Sequence, residues 1–393
     1  MKTTTEKTSI RKQRIIKSYP NSIQKLAENF EYAYSGQNML EIADALALQE
    51  EIKVLCIVDE KQRPVGIVRR ENLFQLLGKP FGRDLLKKCN VSEIAGQGLV
   101  IQGNTNIFAA AEMLASYKKA CDNDESIYII LTGHGGTFSG ILSEHELSGF
   151  MAGITNRDIE TARVLQERLL ENTDNISILN IRADAWSRPA KGVGGDFYYI
   201  KNIGENRFFG ALCDVSGKGV AASLVVSMVW GFLRAYDINR GLKSLLSALN
   251  TAIISTFHLE KYVTGFFFIY DSEKSRLSIA DMGHAHSVII RKSADHPLTK
   301  TKGNLPLGIE QDIDPVIYAF GIQPEDALLV YSDGIPEQEN QEGEEFGETR
   351  IVDFSRQCIK SGEKLSQVLP EALDIFRTNT PQHDDMTFLF FQF

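Results

Sequence analysis

The chain is 393 residues long, 43% hydrophobic and 24% charged, with a formal net charge of −9. That length asks for two or three domains rather than one core, and the acidic balance excludes a general nucleic-acid binder, which needs a basic face. Five cysteines (Cys56, Cys89, Cys121, Cys213, Cys358), odd in number and without a CxxC pair, read as free thiols of a reducing cytosol.

At the start of the chain Lys2, Lys7, Arg11, Lys12, Arg14 and Lys17 stand against Glu6 alone, and residues 1–21 read as a flexible basic tail. No apolar stretch follows it, as a signal peptide would require. The most apolar helical segment, "SLVVSMVWGFL" (Ser223–Leu233), is too short to span a bilayer. The expectation is a cytoplasmic protein with no membrane insertion.

A repeat occupies 22–151. "IKVLCIVDEKQRPVGIVRRENLFQLL" (Ile52–Leu77) reads as a strand, a turn, a second strand and a helix, and "SIYIILTGHGGTFSGILSEHELSGFM" (Ser126–Met151) repeats the plan. An apolar-periodic helix precedes each copy, "MLEIADALALQEE" and "IFAAAEMLASYKKA". One copy has too few faces to bury itself, so two should pack as one unit. This arrangement resembles a tandem CBS-domain pair, an adenine-nucleotide-sensing module built of βαββα-type repeats. Where that family places Ser/Thr and then Asp, this chain has Arg69 and Asn72 in the first copy, Ser143 and Glu146 in the second. Two readings stand side by side: an adenine nucleotide held at these four residues, or a pair that only packs and dimerises.

Residues 152–175 read as a linker helix, with Thr155 and Asp158 as its N-terminal cap. Ile159, Ala162, Leu165 and Leu169 form an apolar stripe. The stripe suits either pairing with its copy in a homodimer or docking on the neighbouring domain.

From residue 176 to 393 strands come in quick succession: "FYYI", "RFFGALCDV", "TGFFFIYD", "RLSIADMG", "SVIIRK", "DALLVYSDG" and "MTFLFFQF". Two helical stretches interrupt them, one after Gly219 and one around Ser366–Phe376. Runs apolar on both faces need cover on both sides, which implies two stacked sheets flanked by helices. The fold class expected is therefore mixed α/β and α+β.

Aspartates end several of these strands. Asp196 follows Gly194-Gly195, Asp214 closes "FFGALCDV", Asp333 closes "ALLVYSDG", and Asp384-Asp385 open the last strand. A lone strand-end Asp is commonly a turn former. Four such places in one domain suggest convergence, where repulsion would reach roughly 4 kcal/mol per pair at 4 Å and an effective dielectric near 20. Hard divalent cations with oxygen ligands, Mg²⁺ or Mn²⁺, would relieve it.

"GVGGDFYYI", "LCDVSGKGVAASLVVSMV", "DMGHAHSVIIR", "LPLGI", "LLVYSDGIPEQENQEGEEFGETRI" and "HDDMTFLF" together resemble, in order, the motifs of SpoIIE/RsbU-type PPM (PP2C-like) serine/threonine phosphatases. The resemblance runs over 159–393 and implies an α-β-β-α sandwich with two metal ions, Mn²⁺ or Mg²⁺. It implies that Asp214 bridges both ions, that Asp196 and the Val215 carbonyl complete one site, and that Asp333 and Asp384 complete the other, with Asp385 as the substitute if the last motif is shifted by one. Lys218 and Arg188 are candidates for the phosphate. The implied substrate is a phosphorylated serine or threonine on an anti-anti-sigma (STAS-type) signalling protein. Departures from the pattern are Pro336, where a small hydroxyl residue is common, and a missing Asn-Pro after Gly283-His284. "TGHGG" (Thr132–Gly136) imitates the metal loop of eukaryotic members but lacks its aspartate, and reads as a glycine turn.

Two rival readings compete with this one. "GGDF" is half of a cyclic-dinucleotide synthase loop, but Phe197 stands where the second acid is needed. A non-catalytic adaptor on the same fold would have no use for acids at every ligand position.

Overall fold

The repeat read in the sequence is built twice in the computed structural model, which describes residues 9–14, 21–120, 126–170, 177–178, 181–291 and 303–393. Lys2, Lys7 and Lys17 of the expected tail, and Cys121, lie outside those residues. The chain divides into two units, Met1–Thr155 and Asn156–Phe393.

In the first unit, β1 (Arg11–Lys12), β2 (Glu31–Tyr34), α1 (Met39–Ala47), β3 (Val54–Val58), β4 (Pro64–Arg69) and α2 (Arg70–Leu77) are followed by the short α3 (Gly82–Leu86). The second copy contains β5 (Leu99–Gln102), α4 (Ile107–Ala120), β6 (Tyr128–Thr132) and β7 (Phe138–Ser143). The pairing is the same in both: β2 with β3 and β5 with β6 are parallel, β3 with β4 and β6 with β7 antiparallel. A parallel pair needs a crossover, and α1 and α4 supply it. The two copies share a core of Tyr32, Val54, Cys56, Ile67, Ile130, Phe138 and Ile141, which is why neither half is self-sufficient. His134–Gly136 forms the turn between β6 and β7, with Gly135 and Gly136 at φ near +79° and +77°.

Two expectations change here. Within the tail, Arg11 and Lys12 pair with Tyr32 and Glu31, and Ile10 is buried in the first copy's core. One apolar side chain with a hydrogen-bonded edge anchors what charge alone suggested would fray. The linker helix does not begin at Thr155. It is continuous as α5 (Glu144–Leu170); Ser143 and Glu146 cap its start by exchanging backbone N–H bonds. The Thr155 hydroxyl donates to the Met151 carbonyl within the helix instead.

The second unit holds β8 (Ser177–Ile178), β9 (Ile181–Arg188), β10 (Phe197–Gly204), β11 (Arg207–Val215), α6 (Val220–Ala235), α7 (Leu242–Phe257), β12 (Val263–Asp271) and β13 (Arg276–Met282). It continues with β14 (Ser287–Ile290), β15 (Tyr318–Gly321), β16 (Ala327–Tyr331), α8 (Glu348–Ser361), α9 (Leu365–Arg377) and β17 (Met386–Gln392). Two antiparallel sheets result, ordered β10-β11-β12-β13-β15 and β14-β16-β17-β9-β8. Phe208, Leu212, Phe266 and Phe268 of one meet Val330, Leu389 and Phe391 of the other. The opposite face of the first sheet packs Phe209 and Phe267 against Val225 and Val229 of α6 and Leu245 and Leu249 of α7. The second sheet packs Phe388 and Phe390 against Ile351 of α8 and Leu369 and Leu373 of α9. The α-β-β-α sandwich expected from the doubly apolar strands is present. β8, β9, β15, α7 and α8 are not among the elements expected from the sequence. β9 carries charges between few apolar residues, so its period is weak until packing fills it, whereas α8 has a helical period at Ile351, Phe354, Cys358 and Ile359 that the sequence expectation omits.

Candidate metal centre at the sheet ends

Each sheet mounts acids at the ends of two neighbouring strands, two on one sheet and three on the other. Asp196 immediately precedes β10, and Asp214 is the penultimate residue of β11; the two strands are in register there, Phe197 opposite Cys213. In the other sheet Asp333 follows β16 by one residue and Asp384 and Asp385 precede β17, with Tyr331 opposite Phe388. Antiparallel pairing brings the end of one strand beside the start of the next, so Asp196 and Asp214 share one sheet's edge and Asp333 and Asp384 the other's.

The acids feel one another. Burial is the main cause that pushes the Asp214 carboxyl up to about 7, and the neighbouring charges of Asp333, Asp384 and Asp385 add to it while Lys218 opposes. Asp196 is 4% exposed. Burial first, then Asp214, raises it well above the usual carboxylate range; the Ser332 and Thr387 hydroxyls pull the other way. Its Oδ2 is buried with no hydrogen-bond partner. An orphaned carboxylate oxygen in a native interior calls for a partner.

Asp385 does something different from its neighbour. Its Oδ1 accepts the Ala190 N–H at 2.7 Å and its Oδ2 the Gly195 N–H at 2.6 Å. Both oxygens are thus occupied in folding the Gly194-Gly195 loop over the last strand. The glycines leave room for this: a Cβ on Gly194 would lie 2.6 Å from Asp385 Oδ2, and one on Gly195 would lie 2.8 Å from the Val215 carbonyl oxygen. Asp384 instead meets Lys218, whose Nζ is 2.7 Å from Oδ2 and also donates to the His383 carbonyl at 3.0 Å. Among the described residues no group of three or more acidic, imidazole or thiol side chains is placed as a ready-made ion cage.

Of the other residues singled out in the sequence, Arg188 is drawn away to Asp374 at 3.0 Å and stacks on Trp186. Arg69 and Asn72 line a cavity of about 370 Å³ in the first unit, together with Gly96, Tyr117 and Tyr128. Ser143 and Glu146 are engaged in capping α5 and do not line it. Sequence reasoning missed Gln166, Ser332, Thr387 and Lys261, whose Nζ donates to the Ser216 carbonyl at 3.0 Å. Ser332 lies next to Asp333 and Thr387 two residues after Asp385, so a polar residue beside each acid was the available signal. His284 braces the same edge: its Nε2 lies 2.9 Å from the Tyr331 carbonyl oxygen. Burial pushes its pKa down to about 3, so it stays neutral. Among the described residues no helix is long and apolar enough to cross a membrane.

Comparison with known proteins bears on the same region. Residues 204–393 match the family described as Stage II sporulation protein E (SpoIIE). Phosphoserine phosphatase RsbU of Bacillus subtilis is 24% identical over 265 residues, covering 66% of this chain and 76% of RsbU. Protein IcfG of Synechocystis is 22% identical over 60% of this chain, which spans only 42% of IcfG. Among solved structures, the SiaA-PP2C domain of Pseudomonas aeruginosa covers 62% of this chain and 98% of its own length, with 20% identity and a TM-score of 0.53, a likeness of fold.

Proposed function

We propose that this chain, whose residues 204–393 are a SpoIIE-family domain on a PP2C-like fold, is a metal-dependent phosphatase that releases phosphate from phosphoserine or phosphothreonine of a protein. The observation that supports the proposal is electrostatic: Asp214 feels the charges of Asp333 and Asp384, and Asp196, whose Oδ2 is unsatisfied, feels that of Asp214. The donor set is all oxygen, and hard divalent ions fit it. Asp214 would lie between two Mn²⁺ or Mg²⁺ ions, with Asp196 and the Val215 carbonyl on one and Asp333 and Asp384 on the other. When bound, such a pair supplies an acidified water nucleophile and screens the phosphoryl charge.

The protein's own groups do the rest. Asp385 fixes the Gly194-Gly195 loop and so aims Asp196. Ser332 and Thr387 favour the charged form of Asp196, the form that binds a cation. Lys218 is a stand-in cation on Asp384 and becomes free for a phosphate when displaced. Arg188, committed to Asp374, is the weaker candidate for that task.

By likeness to RsbU, named a phosphoserine phosphatase, the substrate is a phosphoserine on an STAS-type protein in the cytoplasm. The first unit acts as a CBS-like regulatory module. Its cavity beside Arg69 and Asn72 is of a size to take an adenine nucleotide, and α5, with Leu165 56% exposed, is the seam of a homodimer. The decisive experiment is phosphate release from p-nitrophenyl phosphate and a phosphoserine peptide by the purified chain, with Mn²⁺ and with EDTA. Equal release in both, or none in either, refutes the proposal.

Two further outcomes are expected. Lys218→Met removes the competitor for Asp384 and tightens Mn²⁺ binding in calorimetry by up to about fivefold, since half-exposed ion pairs rarely exceed about 1 kcal/mol. Weaker binding would mean that Lys218 assists the ions instead.

The pH dependence has a definite sign. Asp214 is pushed up to about 7 in the folded, metal-free protein, above its unfolded value near 4. The folded state therefore holds a proton that the unfolded chain has lost, and this group's contribution to stability falls as pH rises from about 4 to 7. Metal binding must expel that proton. Mn²⁺ should therefore raise the melting temperature more at pH 8 than at pH 5.5; an equal rise at both would contradict the assignment.

A further inference from the structure

α5 reaches the acid edge through a single polar side chain. Gln166 is 9% exposed, and both ends of its amide are spent on one residue. Its Nε2 donates to the Gly194 carbonyl at 2.8 Å, and its Oε1 accepts the Gly194 N–H at 3.0 Å. Gly194 precedes β10 and has no strand partner, so the amide serves it as an adjacent strand would. One residue on, Gly195 is held by Asp385; the next is Asp196. Two turns earlier on the helix, Ile159 closes on Gly192, where a Cβ would come within 2.8 Å of its Cγ2. The segment 192–196 is therefore gripped from one side by α5 and from the other by the start of β17.

We propose that Gln166 is a positioning residue for the ion nearest Asp196, and that metal occupancy and the docking of residues 159–169 are energetically coupled through it. The proposal rests on the metal-centre reading above. Its physical basis is that a carboxylate contributes full affinity only if its mount is fixed before the ion arrives: Gly195 and Asp196 are held by Asp385 and by the Val215 N–H, and Gly194, the residue before them, is held at both its N–H and its carbonyl by this amide. Loss of such an outer contact weakens metal binding by about 10–100-fold. Coupling between two sites is also reciprocal: if the helix secures the loop for the ion, the ion must secure the helix.

The test uses the full chain, wild type and Gln166→Met, which keeps the side chain's length and removes its hydrogen bonds. Mn²⁺ binding is read from the paramagnetic resonance of free Mn²⁺, and amide hydrogen exchange across 159–169 is read with and without Mn²⁺. The expected result is an approximately 10–100-fold weaker Mn²⁺ affinity in the variant, and Mn²⁺-dependent slowing of exchange over 159–169 in the wild type that the variant loses. A folded variant that binds Mn²⁺ as tightly as wild type overturns the proposal. So does wild-type exchange over 159–169 indifferent to bound Mn²⁺, a measurement that decides even if the variant does not fold. In both cases the metal centre itself survives, whereas a wild type that binds no Mn²⁺ removes the centre and the proposal together.

Discussion

Asp214→Asn is expected to abolish Mn²⁺-dependent phosphate release while making the metal-free protein more stable above pH 7. The two effects have one cause. Asp214 is largely buried and stands among the charges of Asp333, Asp384 and Asp385, so its own charge is costly in the metal-free protein. On the proposed reading Asp214 would hold the ions, whose stabilisation of phosphoryl charge is worth several kcal/mol; at about 1.4 kcal/mol per factor of ten, losing them would lower turnover by at least roughly a thousandfold. Asparagine has nearly the same shape, ends the like-charge repulsion and can donate to a neighbouring carboxylate. Melting in EDTA at pH 8 should therefore occur at a higher temperature than for wild type. A variant that is both inactive and less stable would show that Asp214 serves the fold rather than an ion.

The second large effect is expected at Gly334. A Cβ there would stand 2.2 Å from the Asp385 carbonyl oxygen and 3.2 Å from the Asp384 carbonyl carbon. These are backbone atoms of the segment that carries two of the acids, and they have no rotamer by which to yield. Gly334→Ala should cost about 3 kcal/mol, the upper part of the range for overpacking, or roughly 6–12 °C in melting temperature for a unit of this size. Because the yielding segment includes Asp384, Mn²⁺ affinity should fall with stability. Gly321→Ala, on β15, is the control: a Cβ there meets nothing within 4 Å, and a shift beyond about 0.5 kcal/mol is not expected. Equal melting temperatures for the two variants would argue against the crowding account.

Much of the second unit was legible in the chain because its strands are unusually apolar. "TGFFFIYD" and "MTFLFFQF" have no solvent face, and that alone implied covered, stacked sheets; β12 and β17 occupy those places. Strands with mixed chemistry were not legible. β9 carries Arg182, Asp184 and Arg188, and only its pairing with β17 makes it a strand. The same limit applied to α5. Ile159, Ala162 and Leu169 were read as a stripe with Leu165, yet Gln166 is the buried member at that turn and Leu165 is exposed. A glutamine on an apolar face is the one signal that marked the contact in advance. It becomes meaningful only when Gly194, 28 residues away, is seen to lack a strand partner.

The identity of the acids belongs to the sequence alone. Aspartates at the ends of otherwise closed apolar strands, read together with the resemblance to the phosphatase motifs, single out Asp196, Asp214, Asp333 and the pair Asp384-Asp385 as candidates before any coordinates exist. Their division of labour belongs to the fold. Asp384 and Asp385 are chemically identical neighbours, and no property of the chain separates them. The chain bends at Asp384, whose Oδ1 accepts the Asp385 N–H at 2.8 Å, and one side chain meets Lys218 while the other meets the backbone of Ala190 and Gly195. A carboxylate's role follows from what faces it, and what faces it is decided only when distant segments close around it.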